Sequence, residues 1–228
     1  MRTENMLYGK TPTRRDFIAV GAPRAFLSVW EPWVTACVSA SRQDLNDGWR
    51  DSFLTAPIWR FWLGAEICGT ATLGAIMPSM DGVGRYFPLT FAVMAESEEE
   101  FAPPETDPRA AWFEAVENFL LATLEGGDHE SMLRDLAAVP RPSANGAEAD
   151  GLIAGVHRAE ASDLDFSAAF ARSRVAAPAR AAAASSFWWT LGGEDYAACA
   201  LSCLRLPSPH LFSTMLTGNF AQGEASHA

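Results

Sequence analysis

Lysine is almost missing from this chain. Among 228 residues Lys10 stands alone, and the other basic side chains are arginines. Basic residues number 17 against 28 acidic ones, a formal charge of −11. A protein this acidic repels nucleic acid and anionic lipid, because both are bound by neutralising phosphates; neither is an expected partner. Long apolar runs are missing as well, and none approaches the ~20 residues a membrane-crossing helix needs. No signal-peptide core follows Arg2, and the chain is expected to be cytoplasmic. The cysteines Cys37, Cys68, Cys199 and Cys203 contain no Cys-x-x-Cys pair and no disulfide framework. They read as small buried hydrophobes. The histidines His129, His157, His210 and His227 lack ligand spacing, so no metal or cofactor is expected.

What is present is a large apolar fraction, 49%, ordinary for a soluble globular protein with a sizeable core. Residues 22–42 repeat Phe26, Trp30, Trp33, Val34, Cys37 and Val38 at helical spacing, with Pro32 expected to kink or restart the helix. Residues 57–63, 70–77 and 85–95 read as strands, which places Pro88 at a sheet edge or a bulge. From Glu96 to Asp107 there are six carboxylates and no basic residue, a pattern expected of a solvated loop. Asp107-Pro108 is placed to cap a helix carrying Trp112, Phe113, Val116, Phe119, Leu120 and Leu124, stopped by Gly126. A shorter helix follows to about Ala138, residues 140–151 resemble a linker, and 163–175 read as a helix. Residues 186–206 read as a hairpin turning at Gly192–Asp195, and Ser208-Pro209 opens a final helix ended by Gly218. Trp188 and Trp189 are adjacent on a strand and must face opposite sides of its sheet. The expected fold is α/β: one domain, 1–220, with a mixed, largely antiparallel sheet flanked by helices in an α/β/α sandwich, and a frayed tail, 221–228.

Familiar catalytic patterns fail. "YGKT" mimics the end of a phosphate-binding loop, but Glu4 stands where the required glycine belongs. Ser79 lies in Pro-Ser-Met, without the spacing of a nucleophile elbow. The stretch "GAIMPSMDGVGRYFPLT" (74–90) is better explained as a turn between strands. Asp81 can accept backbone N–H bonds there, and Arg85, four residues on, is within reach of it. A catalytic or ligand pocket near Ser79, Asp81 and Arg85 is the competing reading.

The same string resembles the central signature of the TagF (ImpM) family of type VI secretion-associated proteins, through Pro78, Ser79, Asp81, Gly84, Arg85, Phe87 and Pro88. Other segments follow in family order. "LYGKTPTRRDF" (7–17) carries Gly9, Lys10, Pro12, Asp16 and Phe17. "FLSVWEPWV" carries Trp30 and Trp33, "APIWRF" (56–61) carries Pro57 and Trp59, and "SSFWW" (185–189) carries Trp188 and Trp189. These positions are expected to be structural or partner-facing, none catalytic. Arg15 departs from the pattern, standing where the family usually has glycine before Asp16; if that glycine serves a positive-φ turn, arginine must be strained. The resemblance implies a non-enzymatic, post-translational repressor of type VI secretion that contacts the FHA-domain scaffold protein of the apparatus.

Overall fold

Why so many apolar runs show no alternation becomes clear from where their strands lie. The computed structural model describes residues 5–96, 99–146, 171 and 178–220. Asn5–Gly9 (β1), Ile18–Val20 (β2), Trp59–Leu63 (β3), Thr72–Met77 (β4) and Leu89–Met94 (β5) join two later strands in one seven-stranded sheet. A two-residue pair, Glu99–Glu100 (β6) and Asn145–Gly146 (β7), forms a separate small ladder. The later strands are Ser185–Thr190 (β8) and Cys199–Leu204 (β9), and the large sheet runs β2-β1-β5-β4-β3-β8-β9. Each pairing in it is antiparallel. The inner strands β3, β4 and β5 are buried almost throughout, so both of their faces are apolar. Edge strand β9 instead alternates half-buried and exposed residues.

Two apolar layers form, one on each face. On the first, Arg24–Leu45 (α1), Trp49–Thr55 (α2) and the C-terminal helix Leu211–Thr217 cover Trp59, Phe61 and Trp188. On the second, Ala110–Ala122 (α3) and His129–Ala138 (α4) cover Trp62, Leu73, Phe91 and Trp189. Trp188 and Trp189 therefore do point to opposite faces, and both faces are covered. Trp188 packs 5.3 Å from Phe61 and Trp189 packs 4.8 Å from Phe113, centroid to centroid. Arg60 pins the second layer: from a buried position on β3 its guanidinium donates to both carboxylate oxygens of Glu117, at 2.7 and 2.8 Å. Such a bidentate pair compensates the desolvation of both charges.

Several expectations need correction. Helix α1 does not restart at Pro32. Pro32 and Ser28 lie on the exposed face, where water can satisfy the Ser28 carbonyl that proline leaves without a donor. Pro88 is at neither an edge nor a bulge; it is buried immediately before β5, which is a central strand, and so precedes the ladder it could not donate to. Leu124 lies past the end of α3 and is exposed, and the cap residue is Arg109, whose N–H bonds Asp107 Oδ1. The acidic stretch is anchored rather than wholly solvated. Glu99 and Glu100 pair with Asn145 and Gly146, Phe101 is fully buried, and the Phe101 carbonyl accepts from Trp62 Nε1. The first part of the supposed linker thus belongs to the domain's own hydrogen bonding. Cys37 and Cys68 are buried as expected, and burial pushes the Cys68 thiol up to about 12; Cys199 and Cys203 are only half-buried. Apart from the helical Ala171, the helix proposed for 163–175 lies outside the described residues, as do the tail 221–228, His157 and His227.

Candidate functional site

Sheet order brings together two segments that are seventy residues apart. Gly9 pairs with both Ile18 and Leu89, and Leu89 pairs with Met77, so β1, β2, β4 and β5 all turn at the same end of the sheet. The connection from β1 to β2, residues 10–17, therefore lies against the connection from β4 to β5, residues 78–88. Gly9 makes the approach possible. Its φ is +137°, and a Cβ there would stand 2.1 Å from the Pro88 carbonyl oxygen, closer than any side chain tolerates.

Asp81 is the centre of the junction. Its carboxylate is fully buried and accepts four bonds. Lys10 Nζ donates to Oδ2 at 2.7 Å and Arg85 Nε to the same oxygen at 2.6 Å. The backbone N–H groups of Arg85 and Val83 donate to Oδ1 at 2.8 and 3.1 Å. Burial pushes this carboxyl's pKa upward, but the Lys10 bond, the two bonds from Arg85 and the Val83 N–H outweigh it and hold the group well below the usual carboxylate range. Gly84, at φ +82°, supplies the left-handed residue that curls the turn around the carboxylate. Further bonds tie the loops together: Gly82 N–H donates to the Arg14 carbonyl at 2.8 Å, and the Arg85 guanidinium also reaches the Arg15 carbonyl. Phe17 packs edge-on against Phe87 at 4.7 Å and lies under Lys10 Nζ at 4.9 Å.

Of the residues singled out from the sequence, Gly9, Lys10, Pro12, Asp16, Phe17, Pro78, Ser79, Asp81, Gly84, Arg85, Phe87 and Pro88 all fall in these two loops or their borders. Pro12 presents its carbonyl to Gly82, and half-buried Pro78 ends β4. Asp16 is exposed and makes no side-chain bond to another described residue. Arg15 is unstrained, since the non-glycine residues with positive φ among those described are Asn46, Arg109 and Arg205. Trp30, Trp33, Trp59 and Trp188 are instead core, with their indole N–H groups satisfied by Thr90, Pro207, Met215 and Ser186. Pro57 leads into β3. Sequence reasoning paired Asp81 with Arg85 but left Lys10 without a partner. The rarity of lysine was its signal, and the missing step was the adjacency of β1 to β5.

Ser79 is buried and its hydroxyl has no hydrogen-bond partner. A buried hydroxyl without a partner destabilises, so Ser79→Ala is expected to leave Tm unchanged or raise it slightly. A drop of several degrees in a thermal melt would show that the hydroxyl makes a bond. A shallow groove among the described residues is lined by Thr13, Phe119, Thr123, Gly127, Asp128 and Ser131, among others, and by none of Ser79, Asp81 and Arg85. Among the described residues no helix is long and apolar enough to cross a membrane, and no His/Cys/Asp/Glu group is placed to hold a metal ion.

The family model for the TagF N-terminal domain, type VI secretion system-associated, matches residues 6–139, a span that includes both loops. The crystal structure of PA0076 from Pseudomonas aeruginosa PAO1 is similar over the same fold: TM-score 0.78, 32% identity, 94% of each chain covered. No curated protein matches the chain.

Proposed function

The chain belongs to the type VI secretion system-associated TagF N-terminal domain family, and on that premise we propose that it is a non-enzymatic cytoplasmic repressor of secretion, acting after translation by contact with the FHA-domain scaffold protein of the apparatus. The observation that carries this reading is the state of Asp81. All four of its interactions are spent inside the fold, on Lys10, Arg85 and Val83. A carboxylate so occupied is a poor general base and a good structural keystone. What the junction offers outward is the preformed surface of two loops, a form suited to protein contact.

An FHA domain reads phosphothreonine, and Thr13 with Asp16 three residues on superficially fits such a target. The segment is a folded turn, however: Arg14 N–H donates to the Thr11 carbonyl at 3.2 Å and the Arg14 carbonyl is held by Gly82. A threonine in a folded turn is a poor kinase substrate, so the contact is assigned to the folded surface without phosphorylation. Protein made in the absence of any kinase should bind the scaffold in a pull-down, and Thr13→Val should bind as well as the parent. Binding that appears only after phosphorylation, and is lost in Thr13→Val, would replace this mode with a phosphopeptide one. Robust hydrolase turnover by the purified protein, abolished in Ser79→Ala, would favour the enzyme reading instead.

A further inference from the structure

Charge is distributed against the trend of the chain at this junction. The protein carries −11 overall, yet Arg14, Arg15 and Arg85 are exposed together on the two loops. Their proximity is set by bonds rather than by sequence: the Arg14 and Arg15 carbonyls accept from Gly82 N–H and the Arg85 guanidinium. Asp81, which would cancel one charge, is buried and already shared by Lys10 and Arg85. Asp16 is the exposed carboxylate within these loops. Two apolar side chains stand among the arginines, Phe17 at 51% and Val83 at 55% exposure. Phe17 is braced from behind by Phe87 and so presents a fixed face.

From this arrangement we infer that the two loops form a docking surface for an acidic protein segment, one whose carboxylates engage Arg14, Arg15 and Arg85 while an aliphatic or aromatic side chain covers Phe17 and Val83. The inference rests on the contact-repressor reading and names the chemistry of the partner at that site. Arg85 suits the task because two of its donors are committed inward, to Asp81 and the Arg15 carbonyl, while its side chain is 60% exposed and keeps further N–H donors for a partner. Neither Arg14 nor Arg15 makes a side-chain bond to another described residue, so no existing ion pair must break on docking. Both loops are preorganised, which lowers the ordering cost of association. The negative remainder of the surface repels an acidic partner elsewhere and steers it to this face.

The test uses the full chain and two probes. One is a fluorescein-labelled octapeptide alternating glutamate with leucine and phenylalanine, alongside its glutamine counterpart. The other is the purified, phosphatase-treated scaffold protein. The charge-reversed variant Arg14→Glu/Arg15→Glu should melt at the parent temperature, since both side chains are exposed. It should bind the acidic peptide about tenfold more weakly, with a shallower salt dependence, whereas the control Arg134→Glu should bind as the parent does. Arg14→Gln/Arg15→Gln should fall between. The scaffold should show the same ranking. If the parent does not prefer the acidic peptide to its glutamine counterpart at low salt, or if Arg134→Glu weakens binding as much, the inference is overturned. It is overturned as well if a phosphothreonine peptide alone binds, or if the same substitutions abolish a dimer in sedimentation, which would make a second copy the occupant. Scaffold binding that ignores the reversal overturns the inference and leaves the contact reading standing. Peptide binding that obeys the reversal, without any scaffold binding, does the opposite.

Discussion

Replacing Asp81 by asparagine should lower the melting temperature by about 10 °C, the size expected in a chain of this length when one partner of a buried ion pair is removed. Lys10 is itself buried, and the substitution leaves its ammonium without a counter-charge while weakening the bonds from Val83 and Arg85. The effect should carry a pH signature. Because the folded-state pKa of Asp81 lies below the unfolded value of about 3.9, the stabilisation it gives is complete above that value. It is lost as the pH falls through the folded-state value. The parent should therefore lose Tm below about pH 4, and Asp81→Asn should lack that component of the acid limb. Thermal melts from pH 2.5 to 7 measure both effects. Asp81→Asn melting within two or three degrees of the parent at neutral pH would remove Asp81 from the centre of the junction.

An effect at least as large is expected far from the loops. Trp30 is fully buried, with Phe26, Trp33, Phe61 and Trp188 around it at centroid separations of 4.7–6.1 Å. Its indole N–H donates to Thr90 Oγ1 on β5 at 3.1 Å. Truncation to alanine opens a cavity in a layer of rigid rings that cannot collapse into it, and should cost about 3–5 kcal/mol, a large share of a typical domain's stability. Trp30→Phe keeps most of the ring contacts and loses the bond to Thr90, so its cost should be roughly half. Urea denaturation of the two variants gives the comparison. Equal losses in Trp30→Ala and Trp30→Phe would show that the hydrogen bond, not the packing, dominates.

How much of this was readable in advance depends on distance along the chain. The strands β3, β4 and β5 were legible because local composition suffices: aromatic and β-branched runs bounded by glycine and proline. Trp188 and Trp189 announced a sheet covered on both sides, since period two leaves no other arrangement except exposure. Pairing order was not legible. That β1 inserts beside β5 is decided by which apolar faces fit in three dimensions, and the Lys10–Asp81 pair followed from that alone. Pro32 misled for the related reason that its effect depends on which side of α1 faces water. The acidic stretch misled because charge count conceals one buried residue, Phe101, whose backbone carbonyl ties the loop to Trp62. The site shared this division: Asp81 and Arg85 lie four residues apart and could be paired by spacing, whereas the apposed Arg14 and Arg15 came into view only with the fold.

The most direct test of the account is amide hydrogen exchange on the whole chain, with and without the unphosphorylated scaffold protein. Exchange slowed by scaffold across residues 10–17 and 82–87, with the helices and the β8–β9 edge unchanged, is the predicted result. Protection confined to the β9 edge or the C-terminal helix, or no protection at saturating scaffold, would contradict it.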